Sequence, residues 1–247
     1  FLFPAAGSSI SMYGNWNSYM KNSALFGVSY PGHLVRLDET PIDDLKTLVS
    51  AIAKEIMENI KNGNIPKDQP LYCFGHSLGA LVSYEVVMLL QNERKNGNPN
   101  APVFAGLIVS ASPAPIYPRP IPLRKVNGKP IHFTDLSPEQ FPEELAILGG
   151  ANKESLQSKQ FQKLIPSIAA DFKITDNYKR ITDKDHQLEC PLYDIGGVSD
   201  PMVNPDSRKN WELEVTEETP LVRITFEGGH WFIQENMESV LERLKKE

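Results

Sequence analysis

Gly75-His76-Ser77-Leu78-Gly79 sets a serine between two glycines. It follows a short apolar run, Leu71–Phe74, and precedes Leu81, Tyr84, Val87 and Met88, which share one helix face. A strand turning sharply into a helix through such a G-x-S-x-G segment holds its serine at the tip, with Oγ exposed. A Cβ at either glycine would crowd the turn. The helix N-terminus beneath favours negative charge developing beside it. The chemistry open to Ser77 is nucleophilic attack on an acyl carbon. A hydroxyl is a weak nucleophile, so a base must lie within hydrogen-bond reach.

Five histidines are available. His76 lies inside the elbow, where its ring cannot easily reach round to Ser77. His33 and His132 fall in loop-like sequence, and only His132 follows the elbow at some distance. His186 sits in a charged stretch that reads as a solvated face. His230 follows the last apolar run directly, in Glu227-Gly228-Gly229-His230-Trp231, where two glycines let the backbone turn. It is the expected base. The acid that orients it should come from the loop after an earlier strand. Asp200, in Gly196-Gly197-Val198-Ser199-Asp200-Pro201, has that place, with Asp194 and Asp206 as rivals. Two backbone N–H donors would hold an oxyanion: Leu78, next to the nucleophile, and Ala6 in the small-residue loop Phe3-Pro4-Ala5-Ala6-Gly7, with Ala5 as second choice.

These residues need elements to position them. Phe1–Phe3, Leu25–Tyr30, Leu71–Phe74, Val103–Val109, Leu192–Ile195 and Leu221–Phe226 read as short buried strands. Leu45, Leu48, Ile52, Ile56 and Ile60 line one helix face, and Met237, Val240, Leu241 and Leu244 line another. Strands alternating with helices predict an α/β architecture with a mostly parallel sheet. The stretch from Ser112 to about Tyr178 opens with five prolines and carries no clear strand. Short helices are expected around Pro138–Leu148 and Ser155–Ile165, and a segment this long reads as a structured insertion.

With 247 residues the chain fits a single domain. Its 31 acidic and 25 basic side chains give a net charge of −6, which argues against general nucleic-acid binding. No apolar run is long enough to span a membrane. Cys73 and Cys190 are too few for a disulfide framework and show no metal spacing, so a thiol-reducing compartment such as the cytoplasm is expected. The chain starts at Phe1, without Met, inside an apolar run, so we expect residues upstream or an excised domain.

The same segments resemble the type II thioesterases that serve nonribosomal peptide and polyketide synthases. Phe3-Pro4-Ala5-Ala6-Gly7-Ser8 with Trp16 is similar to the family's F-P-x-A-G-x-S…W opening. Tyr30-Pro31-Gly32 with Arg36 is similar to its Y-P-G-R-G-x-R loop, and Gly75–Ala80 to G-H-S-[ML]-G-A. Leu148-Gly149-Gly150, then Ile165-Pro166-Ser167-Ile168-Ala169-Ala170-Asp171-Phe172 and Tyr178, resemble the family's lid pattern. Gly196–Pro201 with Trp211, and Gly228-Gly229-His230-Trp231-Phe232, complete a resemblance that covers essentially the whole chain. His33 and Ala169 stand where the family carries Arg, and Trp231 where it carries Phe. The polar stretch Asn92–Asn100 looks like an extension.

The resemblance implies an α/β-hydrolase fold over residues 1–247, with a helical lid inserted at about 112–180. It implies hydrolysis of acyl, aminoacyl or short peptidyl thioesters on the phosphopantetheine arm of an acyl or peptidyl carrier protein, with Ser77, Asp200 and His230 as the triad. No cofactor or metal is expected, and a monomer is. Carrier proteins are typically acidic, so docking on this acidic chain needs a local positive patch. Ser112–Thr134 holds Arg119, Arg124, Lys125 and Lys129 and no acid; it is the expected guide for the carrier, or else an ordinary solvated loop. An embedded chain-terminating thioesterase domain, a general carboxylesterase and a non-enzymatic binding module stay open as alternatives.

Overall fold

Five strands form one parallel sheet, in the spatial order Leu2–Phe3, Leu71–His76, Phe104–Ser110, Leu192–Gly197 and Leu221–Phe226; the last, an edge strand, exposes Arg223 and Thr225 on one face. The computed structural model describes all residues except 120–123, 128, 148–152, 157, 181–186 and 247. In chain order the strands are β1 Leu2–Phe3, β2 Leu71–His76, β3 Phe104–Ser110, β4 Arg124–Val126, β5 Lys129–Ile131, β6 Leu192–Gly197 and β7 Leu221–Phe226. The helices are α1 Trp16–Tyr19, α2 Leu45–Lys61, α3 Leu78–Lys95, α4 Phe141–Ile147, α5 Lys153–Leu156, α6 Lys159–Asp176, α7 Pro205–Lys209, α8 Phe232–Glu235 and α9 Met237–Leu244. Among the described residues no helix is long and apolar enough to cross a membrane.

The period of two along each strand divides the core. Cys73 and Leu107 face one side with Leu48, Ile52 and Ile56 of α2 and Leu81 and Met88 of α3. Phe74 and Ile108 face the other with Tyr13, Trp16, Ile195, Phe232, Val240 and Leu241. Asp44 starts α2 by accepting the Thr47 N–H at 2.8 Å, and Leu45, Leu48, Ile52, Ile56 and Ile60 bury the face their spacing predicts. Helix α3 is buried nearly all round in its first three turns, because it runs between α2 and the sheet.

The insertion between β3 and β6 has a small core of its own. Phe133, Phe141, Leu156, Phe161, Ile168 and Phe172 pack together, and the Phe133 and Phe172 rings stack at 3.6 Å. Ala6 and Met202, from loops at the sheet edge, pack against this cluster.

Three expectations need correction. Leu25–Tyr30 is no strand: Gly27 bridges Leu2, and the pairing stops there. The β1 strand is two residues long and ends at Pro4, which has no N–H to offer. The insertion does contain strands, the antiparallel pair β4–β5. Three-residue strands with Pro130 in one of them leave no alternation to read. Helix α6 was expected to end near Ile165 but continues through Pro166 to Asp176. A proline removes one helical hydrogen bond, whereas the buried face of Phe161, Ile168 and Phe172 spans it. Leu148, Gly149 and Gly150, and the stretch holding His186, lie outside the described residues.

The turn from β2 into α3 is held by backbone contact. A Cβ on Gly75 would overlap the carbonyl of Gly79, and one on Gly79 would overlap the carbonyls of Phe3 and Pro4. Neither obstacle is a side chain that can swing away. Gly79→Ala therefore forces β1 off α3 and should cost about 3 kcal/mol, read as a lowered urea midpoint. An unchanged midpoint would mean that the two backbones do not touch.

Candidate active site

Ser77 sits between β2 and α3 at φ +56° and ψ −117°, a conformation that a side chain normally avoids. The fold imposes it: the Ser77 N–H donates to Ser110 O on β3 at 2.8 Å, and the Ala80 N–H returns to Ser77 O at 3.0 Å. The result directs the side chain out past the strand ends, with the first turn of α3 beneath it.

His230 follows β7, and Asp200 follows β6. The two loops are laced together by Val198 N–H to Phe226 O at 2.9 Å and Ser199 N–H to Gly228 O at 3.0 Å. His230 Nδ1 lies 2.8 Å from Asp200 Oδ2. The other oxygen, Asp200 Oδ1, accepts the N–H groups of Met202 and Val203 at 2.9 and 3.0 Å. The carboxylate is thus fixed at both ends, and a proton on Nδ1 leaves Nε2 free to accept one. Ser77, Leu78 and His230 line the same narrow cavity.

The rivals are occupied elsewhere. Asp194 accepts from Arg208 Nε at 2.8 Å and faces Arg223. Asp206 is exposed in the first turn of α7. His76 is fully buried, with Nδ1 2.9 Å from Ser110 Oγ, and burial pushes its pKa well down. His132 opens a short 3-10 turn with Asp135.

In the loop after β1, the Ala5 N–H contacts Met12 Sδ at 3.4 Å and the Gly7 N–H donates to Asp171 Oδ2 at 2.8 Å. Among the described residues nothing takes the Ala6 N–H, so Ala6, ahead of Ala5, is the one with a donor to offer. Sequence reasoning missed the group that holds this loop. Asp171 on α6 also binds His33 Nε2 at 2.9 Å, and His33 Nδ1 reaches Pro31 O at 3.0 Å. One turn earlier Ser167 Oγ donates to Gly32 O at 2.5 Å. The i, i+4 spacing of Ser167 and Asp171 within the otherwise apolar stretch Ile165–Phe172 was the available signal.

Of the four expected docking cations, Arg119 is turned inward. It lines the cavity with Ser77 and His230, its guanidinium over the Tyr178 ring at 5.3 Å and its Nη2 3.4 Å from Pro113 O. The ring and the carbonyl draw it off the surface, so it does not belong to an exposed patch. Lys129 on β5 is exposed. Arg124 and Lys125 lie on β4, and their side chains are outside the described residues.

His33 faces a carbonyl and a carboxylate, so both ring nitrogens are placed to donate. Burial opposes its charge, but the hydrogen bond and negative charge of Asp171 outweigh it and raise the imidazole pKa above its ordinary 6.5. Burial also pushes the Asp171 carboxyl up, against the pull of His33 and the Gly7 N–H. Both shifts mean that the folded chain holds a proton which the unfolded chain releases, so stability falls as pH rises through them. The His33 contribution is fully present below pH 6.5 and is lost through its raised pKa. The gap in melting temperature between the native chain and His33→Asn should be widest near pH 6, about half a unit below that value, and shrink at higher pH. Parallel curves above neutrality would show that His33 carries no extra proton.

Residues 1–247 match the family described as "Thioesterase domain". The gramicidin S biosynthesis protein GrsT of Aneurinibacillus migulanus is 30% identical, over 100% of this chain and 87% of that protein. The probable anguibactin biosynthesis thioesterase AngT of Vibrio anguillarum is 25% identical, over 99% of this chain and 89% of its own length. Among solved structures, the thioesterase RedJ of the prodiginine pathway in Streptomyces coelicolor superposes with a TM-score of 0.78 at 27% identity, covering 98% of this chain and 83% of that one. The parallel sheet with helices on both faces is the α/β-hydrolase fold, and the chain belongs to the thioesterase domain family.

Proposed function

We propose that this chain is a serine thioesterase that frees acyl or aminoacyl groups from the phosphopantetheine arm of carrier proteins, clearing stalled carriers in nonribosomal peptide or polyketide assembly. The observation that carries the reading is the 2.8 Å contact of Asp200 with His230 at the cavity that also holds Ser77 in its strained turn. The relatives named for gramicidin S, anguibactin and prodiginine biosynthesis support the assembly-line setting.

In this reading His230 Nε2 takes the Ser77 proton as Oγ bonds to the thioester carbon. The carbonyl π electrons move to oxygen, which the Ala6 and Leu78 N–H groups stabilise. Asp200 steadies the imidazolium. The carbonyl re-forms, the C–S bond breaks, and the sulfur takes the proton from His230 and leaves as the free thiol, which returns the imidazole to its neutral form. Water, deprotonated by His230, then attacks the acyl-serine, and the proton returns to Ser77 as the acid departs. The steps use the chain's own side chains and water.

Residues 112–180 act as a lid in this scheme. The cavity measures about 30 Å³, enough for a water or two. Phe172, Thr175 and Asp176 of α6 form part of its wall. An acyl group enters when that wall moves. Arg124, Lys125 and Lys129, on a hairpin without acids, would steer an acidic carrier toward the opening. The free, buried Cys73 and Cys190 suit a thiol-reducing cytoplasm.

The test is a hydrolysis panel: acetyl-, hexanoyl- and aminoacyl-loaded carrier protein, the matching acyl-CoA, and a p-nitrophenyl ester. We expect preference for the loaded carrier, a loss of at least about 10³-fold in kcat for Ser77→Ala, and roughly 10²- to 10⁴-fold for Asp200→Asn. Rapid ester cleavage with indifference to the carrier would make the chain a general esterase. Reversing charge at Arg124 and Lys125 should raise KM for loaded carrier and spare a small free thioester; equal effects on both would remove the docking role.

A further inference from the structure

The cavity beside Ser77 holds a cation that the hydrolytic scheme does not use. Arg119 Nε is buried and meets no hydrogen-bond partner. Its Nη2 contact with Pro113 O, at 3.4 Å, is long. Among the described residues no carboxylate comes within ion-pair distance of the guanidinium. Asp176 lines the same cavity and its charge favours the charged guanidinium from a distance, but its Oδ2 is taken by the Thr134 N–H and hydroxyl at 3.3 and 3.0 Å. Burial lowers the Arg119 pKa to about 10, which leaves it charged at neutral pH.

Removing a guanidinium from water without a counter-ion is costly. Much of the wall has little use for one: Leu81, Ala111, Phe172, Met202 and Val203 are apolar, and Ser112, Thr175 and Asp176 are its polar members apart from the Ser77 and His230 pair. A planar fork of donors with an open Nε–H matches a carboxylate, which takes two parallel hydrogen bonds from it. We propose that Arg119 is a specificity-determining residue and that the preferred acyl group carries a carboxylate at its far end, as in the half-thioester of a short dicarboxylic acid. The thioester carbonyl then faces Ser77 and the Ala6 and Leu78 N–H groups while the distal carboxylate accepts from the open Nε–H of Arg119. This inference rests on the hydrolase reading and names the substrate class of that same site.

The test compares malonyl and succinyl with butyryl and pentanoyl N-acetylcysteamine thioesters, small substrates that need no carrier. The native chain should favour the carboxyacyl member of each pair. Arg119→Met, similar in length and apolar, should lower the carboxyacyl-to-alkyl ratio of kcat/KM by roughly 10- to 100-fold, the value of a charge-assisted hydrogen bond. Its alkyl turnover should rise as a buried charge leaves. Arg119→Lys keeps the charge but not the fork and should fall between, which preserves the test if the methionine variant folds poorly. A ratio unmoved in both variants, or an equal fall on all four substrates, would reduce Arg119 to a packing residue and overturn the proposal. A native preference for the alkyl thioesters would overturn it too. Hydrolysis of no thioester by the native chain would instead strike the hydrolase reading, and this inference with it.

Discussion

Between Gly75, Gly79 and the carbonyls of Phe3 and Pro4 there is no room for a methyl group. That backbone contact fixes three parts of the site together. It sets the angle at which β2 becomes α3, and so the strained turn that presents Ser77. It sets the start of α3, whose first free N–H groups point past the sheet. It also sets the end of β1, after which Ala5, Ala6 and Gly7 must pass above the helix. A small side chain at either glycine would move Ser77 relative to the loop proposed to supply the oxyanion donor. A displacement of an ångström is enough to spoil such chemistry. The other catalytic candidates sit beyond β6 and β7, so the parallel sheet delivers every one of them at strand C-termini, where open α/β sheets place their sites.

The loop Ala5–Gly7, the proposed oxyanion loop, is tied from above as well as below. Asp171 on the inserted helix α6 accepts the Gly7 N–H, and its partner His33 comes from the loop that follows the Gly27 bridge. Ser167 adds a second link to that loop through Gly32. The helix that walls the cavity thus also steadies the backbone donor beside it. A proposed lid joined to the sheet domain by the His33 and Gly7 contacts of Asp171, by the Ser167 hydroxyl and by the Lys173–Asp43 ion pair can move only by breaking or carrying them. A buried pair such as His33 and Asp171 adds little compared with an apolar pair, but removing one partner strands the other and is costly. His33 stands where the resembling family carries arginine, so the tie here is one that can titrate.

Ser77, His230 and Asp200 were legible because each sits in a short motif directly after an apolar run, where a strand end can be read from composition. The strand Leu221–Phe226 was found to the residue for the same reason, and the face of Met237, Val240, Leu241 and Leu244 does lie on one helix. What stayed hidden depends on contacts between distant segments. His33 and Asp171 are 138 positions apart. Arg119 reads as one more surface cation in a basic stretch until Tyr178 is placed beneath it. Leu25–Tyr30 has strand composition, but strand formation needs a partner, and β1 is too short to be one. The β4–β5 pair failed the other way: its three-residue strands are defined by pairing with each other, not by an apolar pattern.

His76 and His230 illustrate how environment divides labour between two identical side chains with rings 5.2 Å apart. His230 has a carboxylate at Nδ1 and the cavity within reach. His76 has a serine hydroxyl at Nδ1, no partner at Nε2 and no exposure to water. Burial and the nearby His230 both press His76 toward its neutral form. In the proposed mechanism His230 becomes an imidazolium in each half-reaction. A second positive charge at this separation would oppose that step in a medium that screens poorly. A histidine within the elbow is therefore compatible with a catalytic histidine beside it only while it stays neutral. The Ser110 hydroxyl, on the strand whose terminal carbonyl also holds Ser77, can accept the Nδ1–H of a neutral ring, whereas a carboxylate in its place would draw a proton onto His76 and set it against the base.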